Sequence, residues 1–384
     1  EMDWAKVALV VLVMQSVGVA KSPWAWTPPR PLAQRLHHAD VALLVKYVDA
    51  IPPDKKTDFA GETSFDVLEV LKNGDDEYRA GATVRYPSEI RGEEDETYIL
   101  LGTGEWAKPV RVSEPAIQYL KDAPGLDAPV ADRLRYFLRF LEVEDATTSH
   151  DAFEEFAWAG YTELRAFHTE FSRETLREWL ADPETDLNRI GLYSLLLGLV
   201  GNSDDAAYLE QRILEPSAEF RPGVDEMVAG YLILTGDDGL DVIDREKLAN
   251  LEQPFGEVYL TMKSLEFMWE SEPDRVSQDR LRASMRILLD RPLLADLVVK
   301  NLARWNDWSA ADRMMELYND EDFDNQATKR AIAEYFLLAT RLSPDDMGAP
   351  PPETAARCAE HLAQLREIDP KTVKQAERFF FLVE

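Results

Sequence analysis

Apolar and polar positions along the second half of the chain follow a helical spacing that short polar turns interrupt at regular intervals. Residues 191–216 show the pattern most clearly, with an apolar helix, a tight turn at residues 201–203 and a second, amphipathic helix. Similar turns recur near residues 236, 271, 306 and 343, about 35 residues apart. A fixed period of this length is typical of stacked helix–turn–helix units. The pattern therefore predicts an all-α helical-repeat solenoid over residues 149–384.

The predicted helices also carry signals for how they begin and how they pack. Ser203 and Ser309 are expected to accept hydrogen bonds from backbone N–H groups of a first helical turn. The pair at residues 204–205, Asp-Asp, favours the positive end of a helix dipole, so we interpret it as helix-start chemistry rather than a metal site. Gly191 and Gly198 lie on one face of the apolar helix, where the absence of Cβ allows another helix to approach closely.

Upstream of the helical part, short β-branched or alternating segments predict strands. Five such segments are readable, at residues 40–48, 63–71, 82–86, 97–101 and 110–112. Five short strands with turn residues between them suggest a small β-barrel or a sandwich, and we favour a barrel over residues 32–121. A linker and a connecting helix are predicted at residues 122–148. The expected fold class is thus α+β in two parts, a small N-terminal barrel followed by helical repeats.

The first thirty residues are typical of export rather than of a folded domain. An apolar run at residues 7–20 ends in small residues, which predicts a secretory signal over residues 1–20, and a Pro- and Trp-rich linker follows at residues 21–31. Fourteen helical residues reach only about 21 Å, short of a bilayer core of roughly 30 Å. The alternative is a buried first helix. We expect an exported protein, periplasmic or extracellular, with no membrane span in the mature chain.

Both parts of the chain resemble known families. Residues 39–41, 65–72 with the Gly74 turn, and 96–101 resemble the netrin/TIMP-like module, an OB-type barrel of secreted proteins. In the protease-inhibiting members an N-terminal cysteine forms a disulfide and reaches the target's zinc. The only cysteine here is Cys358, so the resemblance does not imply metalloprotease inhibition.

The second part, with the sequence LLGLVG–turn–DDA at residues 196–206, resembles HEAT-like repeats in a degenerate form. A 35-residue period also fits tetratricopeptide and pentatricopeptide arrays. The aromatic and glycine pattern of tetratricopeptide repeats does not recur in this sequence. Pentatricopeptide arrays bind RNA, for which an acidic surface is unsuited.

The formal net charge of the chain is −30, with 42 basic and 72 acidic residues. Residues 1–125 contain 14 basic and 20 acidic residues, a net charge of −6, which leaves −24 for the predicted helical part. Such a charge repels phosphate backbones and anionic lipids, so nucleic acid is not an expected partner. A cationic or neutral protein partner is compatible with it. The alternative is that the acidic residues serve solubility alone.

Few residues suggest chemistry. The five histidines form no metal-binding or catalytic motif, no phosphate-binding loop is present, and no cofactor is predicted. Asp320, Asp322 and Asp324 imitate the opening of an EF-hand loop and are weak metal candidates, because Asn325 and Ala331 occupy the positions of the required glycine and closing acid.

Two tryptophans are candidates for contact with a partner. Trp305 and Trp308 are three residues apart across a predicted turn. Core packing is the ordinary explanation for both, and the alternative is that one of them is exposed to a partner. The sequence as a whole favours a non-enzymatic, exported binding protein that presents an acidic helical surface to a protein partner. The alternatives are a barrel that binds an oligosaccharide, peptide or protease, and a carboxylate-dependent hydrolase. The oligomeric state is not predicted.

Overall fold

A computed structural model describes residues 30–57, 59–73, 78–216 and 221–379. The chain forms two compact units that divide between Glu170 and Phe171. The first unit combines a β-sheet with helices and the second is helical, which confirms the predicted two-part α+β organisation. The predicted domain boundary at 148/149 lies within a helix of the first unit. The predicted signal, and the linker as far as residue 29, lie outside the described residues.

The first unit is built on an antiparallel sheet. Its described strands are β1 (Val41–Ile51), β2 (Glu62–Asn73), β3 (Thr83–Tyr86), β4 (Thr97–Thr103), β5 (Glu105–Trp106) and β6 (Val110–Arg111). The strand order is β3-β2-β1-β4-β5, and β6 pairs with β4. Among the described residues the sheet is open, since no pairing joins β3 to β5 or β6. Closure into a barrel therefore stays a prediction.

The sheet is organised by β1, whose first half is buried on both faces. Leu43 and Val45 belong to a core with Phe65, Val67 and Leu100. The alternate β1 residues, at positions 42 and 44, point to the opposite face and are also buried. The described residues of this unit also form five helices, the first before β1 and the other four after β6: α1 (Leu32–His38), α2 (Glu114–Asp122), α3 (Val130–Leu138), α4 (Ala146–Trp158) and α5 (Tyr161–Ala166).

The second unit consists of helices, most of which form hairpins of two helices that follow one another along the chain. They are α6 (Arg173–Ala181), α7 (Leu187–Val200), α8 (Ser203–Leu214), α9 (Val224–Thr235), α10 (Asp237–Ile243), α11 (Phe255–Ser271), α12 (Gln278–Ile287), α13 (Ala295–Arg304), α14 (Ala311–Tyr318), α15 (Gln326–Arg341), α16 (Pro352–Ile368) and α17 (Pro370–Phe379). We call α7, α9, α11, α13 and α15 the first helices of five hairpins, and α8, α10, α12, α14 and α16 the second helices. The helical content matches the prediction, whereas a continuous solenoid stays a prediction.

Glycines set the closest helix contact, as the sequence predicted. A Cβ at Gly191 would lie 2.7 Å from the Cα of Gly223, and a Cβ at Gly198 would lie 2.5 Å from the Cα of Gly230. The start of α7 thus meets the start of α9, and the later turns meet as well, so these two first helices run parallel. Side chains larger than hydrogen would separate them.

Candidate protein-binding surfaces

Arginine side chains connect the second helices of the helical unit with their neighbours. The pairs are Arg173–Asp205 (α6 to α8, 2.5 Å), Arg280–Asp241 (α12 to α10, 2.8 Å), Arg313–Asp290 (α14 to the turn after α12, 2.7 Å) and Arg357–Asp312 (α16 to α14, 2.5 Å). Each pair joins two elements that are separated along the chain by one helix. Basic residues are therefore used within the unit to hold its helices together, while acidic residues are in excess.

The turns inside the hairpins form what we call the turn edge, residues 201–205, 236–238, 271–277, 306–309 and 343–348. Several of these turns contact one another. The Asp237 carboxylate accepts a hydrogen bond from the Ser277 N–H (2.7 Å), and the Trp308 indole N–H donates to the Gly348 carbonyl (2.6 Å). The turn edge contains nine acidic residues and one basic residue, so its formal charge is −8.

Six of the acidic side chains on the turn edge are exposed: Asp204, Asp237, Asp238, Asp274, Asp345 and Asp346. The other three carboxylates are buried beside arginines, as Asp307 is beside Arg286. The outward charge of the turn edge is consequently almost purely negative.

Capping explains why acidic and amide residues occupy these turns. The Asn202 side chain accepts a hydrogen bond from the Asp204 N–H (2.9 Å), and the Asp205 carboxylate accepts one from the Asn202 N–H (2.8 Å). The helix-start role predicted for Asp205 is confirmed. The predicted caps Ser203 and Ser309 are wrong, because the caps are Asn202 and Asp307, one and two residues earlier. At each site an amide or carboxylate oxygen, rather than a serine hydroxyl, accepts the capping hydrogen bond.

The two predicted partner-binding tryptophans are not exposed. Trp305 is 1% and Trp308 is 3% exposed, so the alternative that one of them reaches a partner at the surface is wrong. Trp305 stacks on Trp269 with ring centroids 4.4 Å apart, and the Arg282 guanidinium donates to the Trp305 carbonyl. Core packing, the ordinary explanation, accounts for both residues.

The three aspartates of the EF-hand-like segment have local roles. The Asp320 carboxylate accepts a hydrogen bond from the Asp322 N–H (3.0 Å), and Asp324 pairs with Lys329 (2.5 Å). In the part of the chain that the structure describes, no group of three or more histidine, cysteine or acidic side chains could hold a metal ion.

In the first unit, a buried carboxyl pair joins three helices. The Asp151 carboxylate on α4 accepts hydrogen bonds from the N–H groups of Leu32 and Ala33 at the start of α1 and from the Tyr119 hydroxyl (2.8 Å). Burial nevertheless raises the pKa of Asp151 to about 7. One turn further on, Glu155 accepts from the Gln34 amide (2.9 Å). The pair is enclosed by its own donors.

A second buried pair lies at the start of α9. Asp225 and Glu226 are buried and contact each other. Apart from that contact, both oxygens of Asp225 and Oε2 of Glu226 have no hydrogen-bond partner among the described residues. Burial raises the pKa of both carboxyl groups, and the neighbouring Asp225 raises that of Glu226 further. A Cβ on Gly191 would lie 2.7 Å from Glu226 Oε2, so the packing leaves the pair no room for a substrate.

A third buried cluster is an ion-paired triad. Glu257 accepts hydrogen bonds from Arg221 (2.9 and 2.8 Å) and from Lys247 (3.1 Å). Although burial acts to raise the pKa of Glu257, the hydrogen bonds and charges of its partners hold it below the usual range. All three side chains bond inward, which fits a structural role.

The sequence reasoning missed these buried groups, although one signal was visible. Residues 224–234 are apolar except for Asp225 and Glu226, and charges within an apolar helix are unusual. Among the described residues, no helix combines the length and apolar character that crossing a bilayer requires. Comparison with protein-family models found no match, and comparison with curated proteins found no similar sequence.

Proposed function

We propose that this protein is a non-enzymatic binding protein whose helical unit presents an acidic surface to a basic segment of a protein partner. The observation that carries the proposal is the turn edge, where exposed carboxylates outnumber exposed basic groups and point outward together. Complementary charge of this kind raises the rate of association and favours the correct partner.

The positions of the arginines support the proposal. Arg173, Arg280 and Arg286 are occupied by carboxylates of neighbouring helices, so they do not neutralise the exposed aspartates. The buried carboxyl groups described above are closed to substrates or held by partners, which favours binding over hydrolysis. Export remains part of the proposal on sequence grounds, and sequencing the N-terminus of the mature protein tests it.

Binding of a defined basic peptide tests the acidic-surface proposal. A fluorescent 20-residue Lys/Ser peptide and a Glu/Ser peptide of equal length are titrated with the full chain at low and high salt. We expect only the basic peptide to bind and its affinity to fall with salt. The sixfold variant Asp204→Asn, Asp237→Asn, Asp238→Asn, Asp274→Asn, Asp345→Asn and Asp346→Asn is expected to weaken binding about tenfold, which corresponds to about 1.4 kcal/mol.

A matched variant controls for total charge. It changes six exposed acids of the first unit, at positions 40, 49, 94, 105, 114 and 144, to their amides. We expect this variant to bind nearly as the unaltered chain does. If it loses more affinity than the turn-edge variant, the binding surface belongs to the first unit. If neither peptide binds at low salt, the acidic-surface proposal is wrong.

A further inference from the structure

At the ends of the hairpins away from the turn edge, large apolar side chains are exposed. We define the loop edge as residues 182–188, 221–223, 249–256 and 290–294, the described loops that lead into α7, α9, α11 and α13. Its exposed apolar side chains are Leu187 (66%), Leu251 (65%), Phe255 (40%) and Leu293 (76%). Single exposed leucines are ordinary, but a set on adjacent loops marks an interaction surface.

Contacts show that these loops are neighbours. Arg291 donates to the carbonyls of Leu248 and Asn250, which ties the loop of Leu293 to that of Leu251. The α9 loop is tied to α11 through the Arg221–Glu257 pair, and it meets the start of α7 at the Gly191–Gly223 contact. The apolar side chains of the α7, α11 and α13 loops thus follow one edge of the unit. We call the four the apolar row.

Basic side chains of the loop edge turn inward, whereas its acids point outward. Arg221 donates to the Arg212 and Ile213 carbonyls as well as to Glu257, and Arg291 donates to backbone carbonyls. These are the loop edge's two basic residues in the described segments. Its acids are exposed beside the apolar row: Asp182, Glu184, Asp186, Glu252 and Asp290, of which Asp290 also pairs with Arg313. The surface is therefore apolar and negative at once.

Prolines make the loop edge rigid before anything binds. Each described loop contains one: Pro183, Pro222, Pro254 and Pro292. Fixed φ angles lower the entropy lost when a partner orders the loops. Adjacent packed helices are about 8–10 Å apart, so the row from α7 to α13 spans on the order of 30 Å. An amphipathic helix of about 20 residues has that length.

We propose that the apolar row is the docking site for a cationic amphipathic segment of a protein partner, which buries its apolar face on the row while its basic residues meet the flanking acids. The inference rests on the proposed function and adds to it the chemistry of the partner and a second face. Charge complementarity selects this occupant over an acidic helix, which the carboxylates would repel.

Two peptides of equal positive charge test the docking site on the full chain. One is a 20-residue Leu/Lys peptide patterned as an amphipathic helix, and the other is the Lys/Ser peptide. We expect the amphipathic peptide to bind at least tenfold more tightly. The triple variant Leu187→Ser, Leu251→Ser and Leu293→Ser is expected to abolish this advantage and leave Lys/Ser binding unchanged.

The matched control changes exposed apolar residues that lie outside both the turn edge and the loop edge, Ile51→Ser and Ile368→Ser. It is expected to retain the tenfold advantage, and unchanged melting curves show that both variants fold. An unaffected triple variant, equal loss in the control, or equal binding of a Leu/Glu peptide would overturn the docking site. So would self-association of the chain that the triple variant abolishes, because the occupant is then a second copy. If the Lys/Ser peptide binds while the row has no effect, only this inference fails, whereas absence of all binding contradicts the proposed function too.

Discussion

The two buried carboxyl pairs of this protein, one in each unit, have opposite surroundings. Asp151 and Glu155 accept hydrogen bonds from backbone N–H groups, a hydroxyl, an amide and a guanidinium. Asp225 and Glu226 lie in an equally buried place where, apart from their contact with each other, three of their four oxygens have no hydrogen-bond partner among the described residues. Burial disfavours the charged form in both pairs. The two pairs differ in the hydrogen-bond donors that surround them.

Donors decide how far a buried acid can remain charged. At Asp151 the hydrogen bonds act against burial, and the pKa rises only to about 7. At Glu226 the neighbouring Asp225 adds repulsion to burial, and the pKa rises well above 4.5. The first pair therefore holds helices together through hydrogen bonds, whereas in the second pair burial and mutual repulsion favour the neutral form of the acids.

The largest expected effect is the pH dependence caused by Glu226. Because its folded-state pKa is above its unfolded value, its contribution to stability is fully present below about pH 4.5 and is lost as the pH rises towards the folded pKa. The opening free energy of α9 is expected to fall by up to about 1.4 kcal/mol per pH unit. Glu226→Gln should reduce this slope, and the double variant Asp225→Asn, Glu226→Gln should remove it, because burial also raises the pKa of Asp225. The measurement is hydrogen exchange of α9 amides between pH 5 and pH 8.

An exposed acid of the same unit supplies the control for this measurement. Asp238→Asn lies on the neighbouring α10 and is expected to leave the slope as it is. A double variant whose α9 keeps the pH slope of the unaltered chain would show that the buried pair is not the source of that slope.

Asp151→Ala is expected to lower the free energy of unfolding by about 2–3 kcal/mol at pH 5, less than the change expected for α9 between pH 5 and pH 8. The reason is that the Leu32 and Ala33 N–H groups and the Tyr119 hydroxyl lose their acceptor. The measurement is the denaturant midpoint of the first unit, followed by exchange of α1 amides. Asp151→Asn retains one acceptor and should lose less.

The pH dependence of the first unit separates the two pairs further. Stability from Asp151 is present below about pH 4 and is lost up to about pH 7, above which its contribution is constant. In the second unit the loss should run upwards from about pH 4.5 towards the raised folded-state pKa of Glu226. Glu144→Ala, an exposed neighbour, is the control for Asp151, and equal losses in the two variants would contradict the hydrogen-bonding role.

Local patterns in the sequence were sufficient for the two-part fold, for the strands and for the close approach at Gly191. They were sufficient because apolar spacing and the absence of Cβ act over a few residues or a single helix face. Long-range partners were not predictable in this way. Asp151 meets Leu32 across 119 residues, and no local pattern identifies that contact.

Of the surface properties, only the sign of the charge was predictable from the sequence. Charge counts indicated an acidic helical part, but they could not decide whether Trp305 is exposed, because its stacking partner, Trp269, lies 36 residues earlier. The apolar row was also missed, since the loops of Leu251 and Leu293 become neighbours only when the hairpins stack.

The smallest expected effect concerns Asp205, another buried carboxyl group of the second unit. Unlike Asp225 and Glu226, it accepts hydrogen bonds from several donors, as Asp151 does. The Asn202 N–H and the Arg173 guanidinium both donate to it, and the Asn202 side chain in turn caps α8. Asn202→Ala removes the cap and should destabilise the start of α8 by about 1 kcal/mol. Ser203→Ala is the matched control and should change little, because the described Ser203 side chain accepts no capping bond. Hydrogen exchange of the first α8 amides distinguishes them, and a larger effect of Ser203→Ala would restore the serine cap that the sequence predicted.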